Sequence, residues 1–147
     1  MVSIASGVTT QTWKLLHDTV SGLVADPTSR SAPKKWIFSA FPDVTKKSFP
    51  GYPIIIIDSP DTMSTKATFT QSVYRTDSNI SLYDTNIARA DAVTGSLLRA
   101  FKTRNTSIHA SGLTNTTITS SSSETIEVNG KKIHIKLFGL DFDVVNG

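Results

Sequence analysis

Apolar residues recur at helical spacing in a segment near the start of the chain. They follow at steps of three and four residues, which places them on one face of a helix of roughly four turns: Trp13, Leu16, Val20 and Leu23. Thr9 or Thr10 is suited to cap the first turn, because a hydroxyl accepts hydrogen bonds from free backbone N–H groups. Asp26 and Pro27 end the pattern.

The same periodicity returns in a later segment. Its apolar stripe comprises Ile87, Ala90, Val93, Leu97 and either Leu98 or Phe101. Asp84 or Thr85 is placed to cap this helix. Lys102 and Arg104 stand at its carboxyl end, where positive charges complement the helix dipole. The pattern therefore predicts a second helix that packs through one face.

Shorter apolar runs predict strands. Trp36, Phe38 and Ala40 alternate as in a short strand. Isoleucines fill positions 54–57, after prolines that fix the path of the backbone, and such a run is typical of a strand covered on both faces. The alternating segments 66–76 and 79–85 predict one or two further strands.

The clearest local signal lies near the end of the chain. Asn129-Gly130 is the dipeptide that best tolerates the positive φ angles of a two-residue hairpin turn. Alternating residues on both sides predict a β-hairpin, with one face holding Ile126, Val128, Ile133, Ile135 and Leu137. Before it, the uncharged Ser/Thr-rich segment 114–123 fits a strand, a flexible loop or both.

The order of these elements predicts the fold class. We expect one α+β domain over residues 1–147, with a mostly antiparallel sheet of four to six strands, two helices packed on one face and a C-terminal β-hairpin. Residues 1–8 would form an N-terminal extension, and 114–123 a flexible Ser/Thr-rich segment or arm. A chain of 147 residues is long enough to bury its own core.

Composition narrows the class of function. Only 18% of the residues are charged, so the polarity rests on Ser, Thr and Asn, and such a surface suits packing against other proteins. The formal net charge of +3 is too small to indicate a nucleic-acid-binding protein by itself. The absence of cysteine excludes disulfides, thiolate nucleophiles and cysteine-based zinc sites. With neither a signal-peptide pattern nor a membrane-length apolar run, we expect synthesis and folding in the cytoplasm.

Few residues are arranged for catalysis or metal binding. The histidines, His17, His109 and His134, are scattered and have no metal-ligand spacing. Asp141 and Asp143 share a strand face, as paired carboxylates do in acid/base catalysis or at a divalent ion. A polar outer face explains them as well and is the interpretation we favour. We therefore predict no catalytic residue, no metal site and no cofactor.

Lysine doublets lie at three predicted loops or turns: Lys34-Lys35, Lys46-Lys47 and Lys131-Lys132. Solubility and the protection of strand edges account for them. The alternative is a positive rim that lies near a phosphate backbone without reading its sequence.

Most of the chain resembles a known protein family. The relevant stretches are WIFSAFPDVTKKSFPGYPIIIIDSPD, the alternating strands FTQSVYRTDSNISLYDTN, the helix IARADAVTGSLLRAFKTR and the terminal strand pair. Together they resemble the tail terminator and tail-completion proteins of tailed viruses. The resemblance spans roughly residues 9–145 and rests on the order of elements more than on invariant residues.

The resemblance implies a virion structural protein of the neck, without catalytic residues. Such a protein forms a homo-oligomeric ring, commonly a hexamer, that caps the finished tail tube and joins it to the head-side connector or adaptor protein. Double-stranded DNA passes through the lumen without sequence-specific contact, and no membrane is involved.

The same resemblance suggests roles for two sets of residues. Basic residues that would face the lumen and its DNA are Lys34, Lys35, Lys46, Lys47, Lys131 and Lys132. Residues that would contact a neighbouring subunit or the tube are Phe41, Phe49, Pro50, Tyr52, Tyr74 and Tyr83.

Three other interpretations stay open at this point. One is a head-completion or adaptor protein of the same neck. Another is a small nucleic-acid-binding module that uses the lysine loops. The third is a small enzyme that relies on Asp141 and Asp143, which would require a pocket converging on both carboxylates.

Overall fold

The structure is a computed structural model of the 147-residue chain. It describes residues 8–28, 35–46, 49–58, 61–67, 72–103 and 113–146. Within these ranges the chain forms two helices and a six-stranded, mostly antiparallel sheet, which confirms the predicted α+β fold. The predicted C-terminal hairpin is present and turns at Asn129 and Gly130, both at positive φ.

The elements follow one another as α1 (Val8–Leu23), β1 (Ile37–Phe38), β2 (Ile54–Ile57), β3 (Asp61–Ala67), β4 (Ser72–Asp84), α2 (Ile87–Thr103), β5 (Leu113–Val128) and β6 (Lys131–Asn146). The strand order is β1-β2-β4-β6-β5, and β3 also pairs with β4. Among the pairings of the described strands, that of β1 with β2 is the only parallel one. Strands β2 and β3 thus lie one after the other along the same edge of β4, with β6 along its other edge.

Alternation along β6 divides the sheet into two faces. Phe138, Leu140 and Phe142 are fully buried and belong to one core with residues of both helices. Leu137 and Asp141 alternate with them and therefore lie on the opposite side of the strand. We call the two sides the helix-covered face and the outer face. Both helices pack on the helix-covered face, as predicted.

The helix-covered face holds the main core. The predicted apolar stripes supply fully or nearly fully buried residues from both helices: Leu16, Val20, Ala90, Val93, Leu97 and Phe101. Strands β2 and β4 add Ile55, Ile57, Ile80 and Leu82. Trp13 fixes α1 to the sheet, because its indole N–H donates a 2.8 Å hydrogen bond to the carbonyl of Ile57.

The helix starts differ from the sequence-based expectation. α1 begins at Val8, so Thr9 and Thr10 lie inside the helix and not at its cap. α2 is capped by Asn86, whose Oδ1 accepts a 3.1 Å hydrogen bond from the backbone N–H of Arg89. Asp84 stabilises the turn before the helix, because its carboxylate accepts a 3.1 Å hydrogen bond from the backbone N–H of Asn86.

Ile87 is 52% exposed and does not join the predicted buried stripe. The stripe begins one turn later, at Ala90, because polar contacts to Asp84 and Asn86 hold the first turn of α2. Lys102 lies in the last turn as predicted, whereas Arg104 falls outside the described residues. No helix in the described part of the chain is long and apolar enough to cross a membrane.

Strand β1 is shorter than the predicted alternation of Trp36, Phe38 and Ala40. It spans only Ile37–Phe38, and Trp36 and Ile37 are both buried. Trp36 lies just before the strand, and both residues belong to the same core as Ile55 and Ile57 of β2. The prediction for β2 is confirmed, because all four isoleucines are buried.

Two polar stretches have a definite place in the sheet. The segments predicted as one or two strands within 66–85 correspond mainly to β4, a single strand of 13 residues. The Ser/Thr-rich segment 114–123 lies within strand β5. Its role as an arm stays a prediction.

Candidate assembly surface

The predicted contact residues form two aromatic pairs. Phe41 and Tyr83 meet edge to face, with ring centroids 4.9 Å apart. Phe49 and Tyr52 do the same at 5.3 Å, with Pro50 between them in the chain. The segment before β2 therefore has one aromatic contact within itself and another to Tyr83 at the end of β4. The prolines that precede the isoleucines thus belong to a segment that presents aromatic residues.

Phe41 extends an apolar region on the outer face of the sheet. Tyr83 lies opposite Ile54 on one side and opposite Ile135 on the other, and cross-strand partners share a face. Further along, Ile133 is paired with Ile126. We call this region the outer-face patch and define it as Phe41, Tyr83, Ile126, Val128, Ile133, Ile135 and Leu137.

The outer-face patch is partly open to solvent. Phe41 is 43% exposed, and Val128 and Leu137 are each 39% exposed. Tyr83, Ile126 and Ile135 are half-buried, and only Ile133 is buried. Single exposed apolar residues are ordinary on protein surfaces, whereas several neighbouring ones favour a contact site. Glu124, opposite Ile135, and Lys131, opposite Val128, lie on the same face and interrupt the apolar area. The predicted common face of the hairpin is therefore confirmed, and it lies opposite the helices.

The second aromatic pair lies next to a buried ion pair. The carbonyl of Tyr52 accepts a 3.5 Å hydrogen bond from Nη2 of Arg89, which also binds the carboxylate of Asp84. Partial burial raises the pKa of the Tyr52 phenol above its usual value. Tyr74 is far from both pairs along β4, opposite Val144 of β6. The structure therefore brings four of the six predicted contact residues into two pairs and leaves Tyr74 apart.

The predicted basic residues occupy different elements. Lys35 precedes β1, and Lys46 lies in a turn in which its backbone N–H donates to the carbonyl of Asp43 at 3.3 Å. Lys131 and Lys132 begin β6 and are both exposed. Because they are adjacent in a strand, they point to opposite faces. Lys34 and Lys47 fall outside the described residues.

The two carboxylates considered for catalysis are partners of an arginine. Arg75 lies opposite Asp143 in the β4–β6 ladder, with Nη1 3.2 Å from the Asp143 carboxylate and Nη2 3.8 Å from that of Asp141. Asp141 in turn lies opposite Asp77, and a hydrogen bond between these carboxyl groups raises the pKa of Asp141. Burial and the charge of Asp77 add to this effect, whereas the charge of Arg75 opposes it.

At this acidic end of the outer face, the carboxylates are paired with a positive charge. Among the described residues, no three His, Asp or Glu side chains are grouped as metal ligands. Arg75 provides the compensating charge for the two neighbouring carboxylates. The arrangement therefore matches the interpretation of Asp141 and Asp143 as residues of a polar outer face.

Sequence reasoning grouped Leu137 and Ile135 on one face but did not identify them as contact residues. The available signal was a change of phase within β6. Apolar residues occupy odd positions from Ile133 to Leu137 and even positions from Phe138 to Phe142. Because side chains alternate between faces, such a change places apolar residues on both sides of one strand. Near the turn, β6 thus places apolar side chains on the outer face, whereas further along the strand the same face carries Asp141 and Asp143.

Comparison with known proteins gives a likeness of fold. No family model matches the sequence, and no curated protein does. A chain in the solved structure of the virion of a native gene transfer agent particle matches 99% of this chain over 100% of its own length, with a TM-score of 0.50 and 12% identity. This chain shares the fold of a virion component. At this identity the likeness concerns the backbone arrangement and no individual side chain.

Proposed function

We propose that the chain is a virion structural protein of the neck. It forms a ring that terminates the tail tube and joins the tube to the head-side connector, with DNA passing through its lumen. The observation that carries the proposal is the outer-face patch, a group of neighbouring and partly exposed apolar residues on a fold also found in a virion particle. A structural role, not an enzymatic one, accounts for this surface.

The outer-face patch has the chemistry of a protein contact. Aromatic side chains are enriched at protein interfaces and charged ones are depleted from their centres. Phe41 and Tyr83 supply the aromatic part, and Leu137 and Val128 supply exposed aliphatic surface. The partners proposed for it are a neighbouring subunit, in a ring of about six copies as in the family that the sequence resembles, or the tail tube protein. The protein is accordingly located in the virion.

The lysines have a proposed role on the lumen. Lys46 is exposed in a turn, and Lys131 and Lys132 are exposed at the start of β6. At such positions positive charge neutralises phosphates without reading the sequence. Lys34, Lys35 and Lys47 complete the proposed basic set. Charge reversal of Lys46 and Lys131 should reduce retention of DNA in assembled particles. Unchanged retention of DNA in the variant would show that these lysines do not line the lumen.

The test of the ring is the mass of the purified protein by light scattering over a range of concentrations, alone and with tail tubes, followed by negative-stain imaging. We expect a closed ring, formed alone or on the end of added tubes. A strict monomer that ignores tubes would overturn the proposal. Salt-dependent binding of naked DNA by that monomer would favour a nucleic-acid-binding module.

A matched pair of variants assigns the contact to the outer-face patch. Leu137→Asp places a charge in the patch, whereas Ile87→Asp places the same charge at an exposed apolar residue of α2. Leu137→Asp should abolish assembly and Ile87→Asp should leave it intact, with both proteins folded. Equal assembly by both variants would show that the patch is not the contact. Binding to filled heads but not to tubes would favour the head-completion role.

A further inference from the structure

We infer that β5 is an open edge to which strand β3 of a neighbouring copy of this chain adds, so that one sheet continues from subunit to subunit. This inference rests on the proposed ring, for which it supplies the subunit contact. It concerns a strand edge and backbone groups, and is separate from the side chains of the outer-face patch.

The first observation is that part of β5 has little to hold it in place. Residues 119–125 are all exposed, although they form a strand whose alternate side chains point to opposite faces. Four of them, 120–123, are serines. Ordering each residue costs about 1–2 kcal/mol of conformational entropy, and burial of apolar side chains does not offset that cost here. Pairing on a second side would stabilise this segment.

The second observation is that the last nine residues of β5, Ser120 to Val128, contain no proline, no lysine and no register shift. The β5–β6 register shifts twice before Ser120 and is then regular from Ser120 to Val128. The whole strand Leu113–Val128 contains no Pro, Lys or Arg. Proteins usually guard exposed edges with prolines, lysines or bulges. A regular stretch of nine residues without such guards is suited to accept another strand.

The outward-facing backbone groups of this stretch follow from the turn. In a two-residue hairpin the residues that flank the turn, here Val128 and Lys131, exchange both hydrogen bonds. Every second residue of β5 counted from Val128 bonds to β6 in the same way. The residues between them, including Ser123 and Thr125, direct their N–H and C=O groups away from β6. These groups form the proposed acceptor edge.

Charge favours β3 over a second β5 as the added strand. Two β5 edges that pair over all of residues 120–128 set Glu124 directly opposite its own copy, which is destabilising. Strand β3 is seven residues long, lies at the opposite edge of the same sheet and contains Asp61 and Lys66, so its formal charges cancel, whereas the β5 edge contains Glu124 and Glu127. An uncharged strand avoids the repulsion that a second β5 would meet. Because the two edges differ, each copy can use both, and such head-to-tail contacts form a ring when the rotation between copies closes, as the proposed function requires.

A proline in β5 tests the contact directly. Thr125→Pro removes an outward N–H and leaves the bonds to β6 intact, and Thr125→Ala is its matched control. Both variants lose the 3.1 Å contact between the Thr125 hydroxyl and His134, so they differ only in the backbone. We expect Thr125→Pro to raise the concentration for half-assembly at least about tenfold relative to Thr125→Ala. Rings that form equally well in both variants would overturn the inference.

Cross-linking provides a second measurement that does not depend on the proline variant folding. The chain has no cysteine, so Ser123→Cys and Ser64→Cys each carry one thiol. Rings assembled from an equimolar mixture are treated with a short bis-maleimide. Mixed dimers support the β5–β3 contact. A predominance of Ser123→Cys homodimers, or no cross-link in rings, overturns it.

The two proposals fail in distinguishable ways. If no ring forms alone or on tubes, the proposed function fails and the strand contact fails with it. If rings form but the proline and cross-linking results are negative, only the strand contact is wrong.

Discussion

Asp84 and Arg89 form an ion pair in which the carboxylate is completely buried. Arg89 binds both oxygens, with Nη2 and Nε each 2.7 Å from the carboxylate. These hydrogen bonds raise the pKa of the Arg89 guanidinium further. Because Nη2 also reaches the carbonyl of Tyr52, the pair joins the end of β4, the first turn of α2 and the segment before β2. It therefore positions the aromatic residues that extend towards the outer-face patch.

Removal of Arg89 should be strongly destabilising. Arg89→Ala leaves the Asp84 carboxylate buried without its counter-charge, so the free energy of unfolding should fall by about 3 kcal/mol. Arg89→Lys keeps the charge but cannot bind both carboxylate oxygens in the same geometry. Its free energy of unfolding should therefore lie between those of the original protein and of Arg89→Ala. Urea unfolding measures the change, with Lys102→Ala in the same helix as the exposed control. A loss for Arg89→Ala no larger than that of the control would contradict this interpretation of the pair.

The cap of α2 gives a smaller, separate effect. Asn86→Ala removes the acceptor for the backbone N–H of Arg89 and should lower the free energy of unfolding by about 1 kcal/mol. Asn86→Ser keeps a capping oxygen and should remain close to the original protein. Thermal or urea unfolding of the two variants provides the comparison. Equal losses for Ser and Ala would show that the side-chain oxygen is not what stabilises the helix start.

The carboxyl pair Asp77 and Asp141 predicts a specific dependence on pH. The pKa of Asp141 is raised in the folded protein, chiefly by its hydrogen bond with Asp77, so the folded state retains a proton that the unfolded state releases. The resulting stabilisation is fully present below the ordinary value of 3.8 and is lost as pH rises through the higher folded pKa. In Asp141→Asn the amide keeps a hydrogen bond to Asp77 without titrating.

The free energy of unfolding of Asp141→Asn minus that of the original protein should therefore increase as pH rises from about 3.5 to about 7. Urea unfolding at several pH values measures this difference. Asp58→Asn, which changes one charge at an exposed site, serves as control. A difference that stays constant over this range, or falls, would refute the conclusion that the folded protein holds a proton on Asp141.

Two glycines should respond in opposite directions to alanine. A β-carbon at residue 139 would lie 2.5 Å from Oγ1 of Thr119 and 3.0 Å from Oγ of Ser120. Gly139→Ala should therefore lower the free energy of unfolding by about 1–3 kcal/mol, and adding Thr119→Ala should recover part of it. Gly95 lies inside α2, and a β-carbon added there would meet nothing within 4 Å, so Gly95→Ala should raise stability by about 0.5–1 kcal/mol. If both changes destabilised the protein to the same extent, the close contact at residue 139 would not be the cause.

The main elements were predictable because their patterns are local. The helical stripes, the buried isoleucines and the Asn129-Gly130 turn each depend on residues close together in the chain. The cap of α2 was assigned one or two residues too early, because Asp84, Thr85 and Asn86 are all suitable capping residues. Only the geometry distinguishes the one that accepts the bond from Arg89.

The surface was harder to predict because it depends on pairings between distant strands. Tyr83 lies opposite Ile135 through the sheet register and meets Phe41 of the loop after β1, and no local pattern indicates either contact. The pairing of Arg75 with Asp143 likewise spans 68 residues of sequence. The lysine doublets were visible in the sequence, but their distribution over separate elements was not.

The alternation along β6 makes this strand sensitive to length as well as to composition. Deleting one residue before Phe138 would shift the preceding part of β6 by one position relative to β4 and turn its side chains to the other face. Ile133, Ile135 and Leu137 would then lie beneath α2, and Lys132 and Lys136 would occupy the outer face. Removal of a single residue would thus exchange the two faces of this part of the sheet, although the amino-acid composition of the strand would hardly change.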